Sequence, residues 1–149
     1  MLRSILAVVL GIVAASVVVF AAEMVGHALY PTPSSEGHDC RSPKTYNDQA
    51  AAAACVAATP FEAKVAVVVG WFLGVLIGGV VAALVGRRWA PLAWVVAVVI
   101  FLFCLVNFSA LPHPAWMIAA SVFAVLFGGF CATSFTGAKF ALPKSERVP

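Results

Sequence analysis

Residues 61–85 read FEAKVAVVVGWFLGVLIGGVVAALV, and this stretch decides the fold of the chain. It carries no charged residue after Lys64, and a membrane-spanning α-helix needs about 20 mostly apolar residues. Gly70, Gly74 and Gly78 recur at every fourth position, so they share one side of a helix, where a second helix can approach closely. We therefore predict a transmembrane helix over residues 61–86 that packs through its glycines.

Three further stretches pass the same length test, at about residues 4–29, 91–110 and 114–136. Of the 149 residues, 63% are hydrophobic and only 10% are charged, which is too little charge for a soluble domain of this size. Little chain remains outside the four stretches, so no large soluble domain with a conventional active site is expected. The sequence predicts an all-α fold: one integral membrane domain over residues 1–149, built as a four-helix bundle.

The first stretch has one competing interpretation, a cleaved signal peptide, because Arg3 precedes an apolar run. That run is longer than the apolar region of a signal peptide. A cut after Ala22 would also place bulky Phe20 where a small residue is required. We therefore expect a retained helix.

The basic residues predict the orientation of the bundle. The short connections after residues 86 and 110 imply an up-down-up-down arrangement, which sorts the charged residues onto two sides. One side carries six basic residues and one acid: Arg3, Arg87, Arg88, Lys139, Lys144, Arg147 and Glu146. The other carries three basic residues and five acids: Arg41, Lys44, Lys64, Glu23, Glu36, Asp39, Asp48 and Glu62. Because basic residues concentrate in cytoplasmic loops, both termini and the tail at 137–149 are predicted to be cytoplasmic.

Residues 31–60 form the one substantial predicted loop, on the outer side of the membrane. Asn47 and Asp48 are typical N-cap residues and precede a run of alanines, which indicates a short helix within this loop. Thr59 and Glu62 have the spacing of a capping box, which predicts that they cap the next helix together.

The four cysteines fall into two classes. Cys40 and Cys55 share the outer loop, an oxidising environment in the predicted topology, so we expect them to form a disulfide. Cys104 and Cys131 lie at different depths of antiparallel helices and should remain free thiols. A thiol oxidoreductase would need a close-spaced reactive pair such as C-x-x-C, and none occurs.

Small residues also predict a contact on the last helix. Ala120, Ala124, Gly128 and Ala132 repeat at every fourth position, as the glycines of the 61–86 helix do. The plainer interpretation is packing inside one chain. The alternative is a seam between two copies of the protein.

Polar residues gather at the predicted outer edge of the membrane. Glu23 and His27 are four residues apart on one face of the first helix, Asn107 lies near the end of the third, and His113 lies in the following turn. The cost of unpaired polar groups near lipid should draw these side chains into one cluster. Three interpretations stay open: a hydrogen-bonded clasp, a proton or small-ligand site, and a zinc or copper site with Glu23, His27 and His113 as ligands.

Two segments resemble a known protein group. Residues 23–31 match the pattern E-x-x-G-H-x-x-Y-P, and residues 107–116 match N-x-x-x-x-P-H-P-x-W. Both are similar to segments of a family of small, uncharacterised bacterial membrane proteins with four spans. The small residues of the 61–86 helix are similar to that family as well, whereas the loop with Cys40 and Cys55 does not belong to its pattern. The resemblance implies four spans in the bacterial inner membrane and supplies no activity.

The predicted function is a non-enzymatic one, as an accessory, scaffold or interaction subunit of the membrane. Its expected partners are the lipid bilayer and either another membrane protein or a second copy of the chain. The alternative is a transporter, or a protein that handles ions, metals or protons through the polar cluster. No phosphate-binding, nucleic-acid-binding or hydrolase motif occurs, so we predict no catalytic residue, no cofactor and no nucleic-acid partner.

Overall fold

The computed structural model of the protein describes residues 2–32, 34, 37, 39–40 and 42–141. Within them the chain forms a 3-10 helix at Pro43–Asn47 and five α-helices: α1 (Leu2–Leu29), α2 (Gln49–Ala58), α3 (Phe61–Val85), α4 (Ala90–Ala110) and α5 (Ala115–Thr136). Helices α1, α3, α4 and α5 are long and apolar enough to cross a membrane. The all-α fold with four such helices is therefore confirmed. Five of the charged residues sorted above lie outside the described residues: Glu36, Arg41, Lys144, Glu146 and Arg147.

Helices α1 and α3 pack backbone to backbone through small residues. A Cβ atom added at Gly78 would lie 2.5 Å from the carbonyl oxygen of Gly11, and one added at Gly74 would lie 2.5 Å from Cγ2 of Val19. Gly26 meets Ala66 at the other end of the contact. The early part of α1 therefore meets the late part of α3, and the two helices run in opposite directions.

Helix α3 lies at the centre of the bundle, since it packs against α1, α4 and α5. A Cβ atom at Gly128 would lie 3.0 Å from the carbonyl oxygen of Phe72, which makes this glycine the close contact of α5 with α3. The core beside it is formed by Val75, Val96 and Ile100, all buried. The glycines at 70, 74, 78 and 128 thus all lie against a neighbouring helix of the same chain.

The segment between α1 and α3, which we call the outer segment after its predicted side, contains the predicted short helix, α2. Its N-cap is Asp48, whose carboxylate accepts a hydrogen bond of 2.9 Å from the backbone N–H of Ala50. The predicted capping box after it is wrong. The Thr59 hydroxyl donates instead to the Cys55 carbonyl, 2.9 Å away, and the backbone N–H of Lys64 donates to the carbonyl of Pro60. Pro60 is therefore the N-cap of α3, because Thr59 already closes α2.

The predicted disulfide is confirmed. Cys40 and Cys55 are bonded across a sequence separation of 15 residues, with their Cα atoms 5.5 Å apart. Cys104 and Cys131 are free thiols, as expected, and Cys104 is buried in α4. The bridge joins Cys55 of α2 to Cys40, which precedes the 3-10 helix, and so ties down the segment between α1 and α3.

At the opposite end, the chain after α5 returns to the turn between α3 and α4. The backbone N–H of Lys139 donates to the carbonyl of Arg88 over 2.9 Å, and that of Ala90 donates to the carbonyl of Lys139 over 3.0 Å. Arg3 of α1 reaches the same place, where its Nε donates to the Val85 carbonyl over 2.7 Å. The basic residues of three separate segments therefore meet at this end, an arrangement that the sequence analysis did not foresee in detail.

Candidate functional site

The four polar residues singled out from the sequence line one cavity of about 270 Å³ at the end of the bundle that carries α2. We call it the outer cavity. Its polar wall consists of Glu23, His27, Asn107 and His113, together with Lys64 and Thr59. Side chains from α1, α3, α4 and the α4–α5 turn therefore face one space, and Val56 of α2 lies over it.

Helix α1 brings two of these residues to the cavity. Glu23 and His27 are one helical turn apart, and the contact of Gly26 with Ala66 holds this part of α1 close to α3. Glu23 is half-buried whereas His27 is exposed. Of the two residues that line the cavity from α1, Glu23 is therefore the more buried, and His27 lies at the rim.

The end of α4 and the following turn bring Asn107 and His113 to the outer cavity. Asn107 is in the last turn of α4, where its carbonyl accepts from the backbone N–H of Leu111 over 3.0 Å and leaves its side-chain amide for other partners. The Nδ1 atom of His113 lies 2.7 Å from the Leu111 carbonyl, and the ring packs edge-on against Phe108. A carbonyl only accepts, so Nδ1 carries the proton in this contact, and Nε2 is the acceptor of the neutral ring.

The hydrogen-bonded clasp between these residues is not what the structure shows. Among the described residues, the side chains of Glu23, His27 and Asn107 make no hydrogen bond to one another or to another group. Carboxylate and amide groups close to lipid are costly to leave unpaired. The outer cavity thus presents polar groups to an interior space without hydrogen bonds between them, although Glu23 and His27 are close enough to attract each other electrostatically.

The metal interpretation gains no geometric support. Within the described parts of the chain, no three His, Cys, Asp or Glu side chains lie close enough to hold a metal ion. His27 is exposed at the rim of the cavity, and the bond of His113 Nδ1 to the Leu111 carbonyl leaves Nε2 as the only nitrogen of that ring free to bind an ion.

A second space adjoins the outer cavity and was missed by the sequence analysis. It has a volume of about 480 Å³ and lies between the outer halves of α1 and α4. We call it the lateral crevice. Its wall is mostly apolar, with Phe20 on one side and Phe103 on the other, and Glu23 and Asn107 line it as well as the outer cavity. These two polar residues therefore stand where the two spaces meet.

Trp71 of α3 also lines the lateral crevice. It is 6% exposed, and its indole N–H has no hydrogen-bond acceptor among the described residues. A buried donor without a partner costs about 1–3 kcal/mol relative to a satisfied one. The sequence alone does not reveal this unpaired donor, because a tryptophan within an apolar run fits a lipid-facing or a core position equally well.

No protein-family model, curated protein or solved structure matches this chain. The resemblance drawn from residues 23–31 and 107–116 therefore stays an expectation. The two segments that carry it contain all four polar residues of the outer cavity, so the part of the sequence that resembles the four-span family is also the part that forms the site.

Proposed function

We propose that this chain is a non-enzymatic, multi-pass protein of the bacterial inner membrane that acts as an accessory or interaction subunit and binds a ligand in its outer cavity. The observation that carries the proposal is the convergence of Glu23, His27, Asn107 and His113 around one space. Polar groups within membrane helices are expensive and are usually retained for a task. Since the side chains of Glu23, His27 and Asn107 make no hydrogen bond to one another, a bound molecule can supply their hydrogen-bond partners.

The proposed arrangement is an up-down-up-down bundle with both termini in the cytoplasm. The antiparallel contact of α1 with α3 supports the alternation of the helices. The meeting of Arg3, Arg88 and Lys139 at the end away from α2 supports a cytoplasmic location for that end. The Cys40–Cys55 bridge supports an oxidising environment at the other end.

Single-cysteine labelling tests this topology. In a background without Cys104 and Cys131, a thiol reagent that cannot cross the membrane should label Lys44→Cys from outside intact cells and should leave Lys139→Cys unlabelled. Both positions are exposed, so accessibility within the protein does not decide the result. Labelling of Lys139→Cys from the outside would overturn the orientation.

Co-purification in mild detergent tests the ligand. The wild-type protein should carry a bound small molecule or lipid at about one per chain, and Asn107→Leu and His113→Leu should each lose most of it, because each removes one polar wall of the cavity. Ser109→Ala is the matched control, since Ser109 is exposed and its hydroxyl donates to the nearby Val106 carbonyl. Equal retention by all four proteins would contradict the proposal.

Ion or proton handling by the same cavity is the second candidate function, and the half-buried Glu23 within α1 favours it. Metal analysis of the purified sample separates the two. A stoichiometric metal that is lost on His27→Ala would favour this second function. The preferred one expects no such metal and the same thermal stability with and without a chelator.

A further inference from the structure

We propose that the ligand of the outer cavity is a neutral, single-chain amphiphile whose head carries a carbonyl and hydroxyl groups, as a monoacylglycerol does. It enters sideways from the outer leaflet, with its chain in the lateral crevice and its head in the outer cavity. This inference rests on the proposed function, because it names the ligand of the same site.

The two spaces adjoin. Glu23 and Asn107 belong to the walls of both, so in the proposed binding mode the ligand passes between these two side chains and occupies the crevice and the cavity at once. Glu23 is seven positions after Ser16 on α1, a rise of about 10 Å along the helix. The crevice is therefore long enough for a substantial part of an alkyl chain.

The crevice opens toward lipid. At its inner end a Cβ atom added to Gly11 would lie 2.8 Å from Cγ2 of Val96, so α1 and α4 are in contact there. Farther out, α1 and α4 both line the crevice, and its lining residues Phe20 and Val106 are 64% and 65% exposed. In a bilayer such surfaces face acyl chains, so an alkyl chain reaches the crevice without crossing water.

The polar groups follow an order that matches a glycerol ester. Trp71 lines the crevice, and its indole N–H lacks an acceptor but is itself covered, so an ester carbonyl next to the chain would pair with it only after a turn of the indole ring. Glu23 and Asn107 come next, at the junction, and the imidazoles of His27 and His113 line the outer cavity. The glycerol hydroxyls would donate to the Glu23 carboxylate and to Nε2 of His113, and the amide of Asn107 both donates and accepts.

Charge selects a neutral head. The wall of the outer cavity carries the acid Glu23 and the base Lys64, whose ammonium group donates to the Ala57 carbonyl over 3.4 Å. The head at the junction lies beside Glu23, so a phosphate there would meet a like charge with little water to screen it. The volume of about 270 Å³ also suits a glycerol head better than a larger phospholipid head.

The probe for this inference is a monoacylglycerol with a photoreactive diazirine on its chain, added to the purified full-length protein in nanodiscs. After irradiation, the labelled peptides should come from the outer halves of α1 and α4. Ser16→Phe, which fills the floor of the crevice, should reduce this labelling at least tenfold. Ser134→Phe is the matched control, because Ser134 is equally exposed but lies on α5, away from the crevice.

A second variant tests whether a loss of labelling in Ser16→Phe comes only from misfolding. Val106→Trp changes a side chain at the mouth of the crevice that is 65% exposed, and should also reduce labelling without disturbing the core. Unlabelled monoacylglycerol should compete with the probe, whereas phosphatidylglycerol and an isoprenoid quinone should not. Labelling that Ser16→Phe and Val106→Trp leave unchanged, or equal competition by either of the last two lipids, would overturn the inference.

The same variants separate this inference from the proposed function. If Ser16→Phe keeps the co-purified species that Asn107→Leu and His113→Leu lose, the outer cavity binds a ligand that does not use the crevice, and only the lipid assignment fails. If none of the three loses it, the proposed function fails as well.

Discussion

Replacing Gly78 by leucine is expected to prevent stable assembly of the bundle in detergent, and even alanine should destabilise it by about 1–3 kcal/mol, the usual cost of overpacking. A Cβ atom at this position would lie 2.5 Å from the Gly11 carbonyl oxygen and 2.7 Å from Cβ of Ala15. Neither atom can move aside without separating α1 from α3. Thermal unfolding in a fixed detergent measures the effect.

The direction of the stability change in Gly78→Ala distinguishes a packed glycine from an unconstrained one. On an unconstrained helix, Gly→Ala stabilises by about 1 kcal/mol, because glycine is a poor helix former. Gly129→Ala is the matched control: its Cβ would lie 3.3 Å from Cβ of Ala97, a tight contact that a shift of a few tenths of an ångström relieves, unlike the 2.5 Å overlap at Gly78. We expect Gly129→Ala to stay within about 1 kcal/mol of the wild type. A Gly78→Ala protein as stable as Gly129→Ala would show that α1 and α3 do not meet at this glycine.

Removing the Cys40–Cys55 bridge should release the outer segment while the long helices persist. In the chain-entropy model, a disulfide that closes a loop of this length contributes about 3 kcal/mol. With Cys40→Ser and Cys55→Ser combined, backbone amides of α2 should exchange with deuterium at least tenfold faster, because α2 is short and makes few other contacts. Hydrogen–deuterium exchange with mass spectrometry resolves the segments.

Cys131→Ala provides the control for this experiment, since it removes a thiol that takes no part in the bridge. Its α2 should exchange as in the wild type. Unchanged exchange in the double variant would mean that packing alone holds the outer segment in place, and that Val56 covers the outer cavity without help from the disulfide.

The long helices could be predicted because length and apolar character are local properties of the sequence. The same holds for α2, whose N-cap Asp48 performs the role expected of its side chain. Prediction failed at Thr59, where two helix ends compete for one residue. Its hydroxyl donates to the carbonyl of Cys55 in the last turn of α2. A capping pattern in the sequence cannot show whether such a residue caps the end of one helix or the start of the next.

The site could be predicted only in part, for a similar reason. Spacing along α1 and the position of Asn107 at the end of α4 placed the polar residues near one level, and they line one cavity. The lateral crevice depends on how far α1 and α4 stand apart, which is set by their separate contacts with α3. No pattern within either helix reports that distance. The unpaired indole of Trp71 became visible only with the three helices in place.

The central claim is that the outer cavity is a binding site and not a set of side chains that pair with one another. An electron cryo-microscopy map of the protein in nanodiscs formed from its own membrane tests this most directly, with a rigid antibody fragment bound at the end that carries Arg88. We predict non-protein density between Glu23, Asn107 and His113 that continues along Phe103 into the lateral crevice. A closed cavity, with the Glu23 carboxylate hydrogen-bonded directly to His27 or to the Asn107 amide and no density between them, would contradict it.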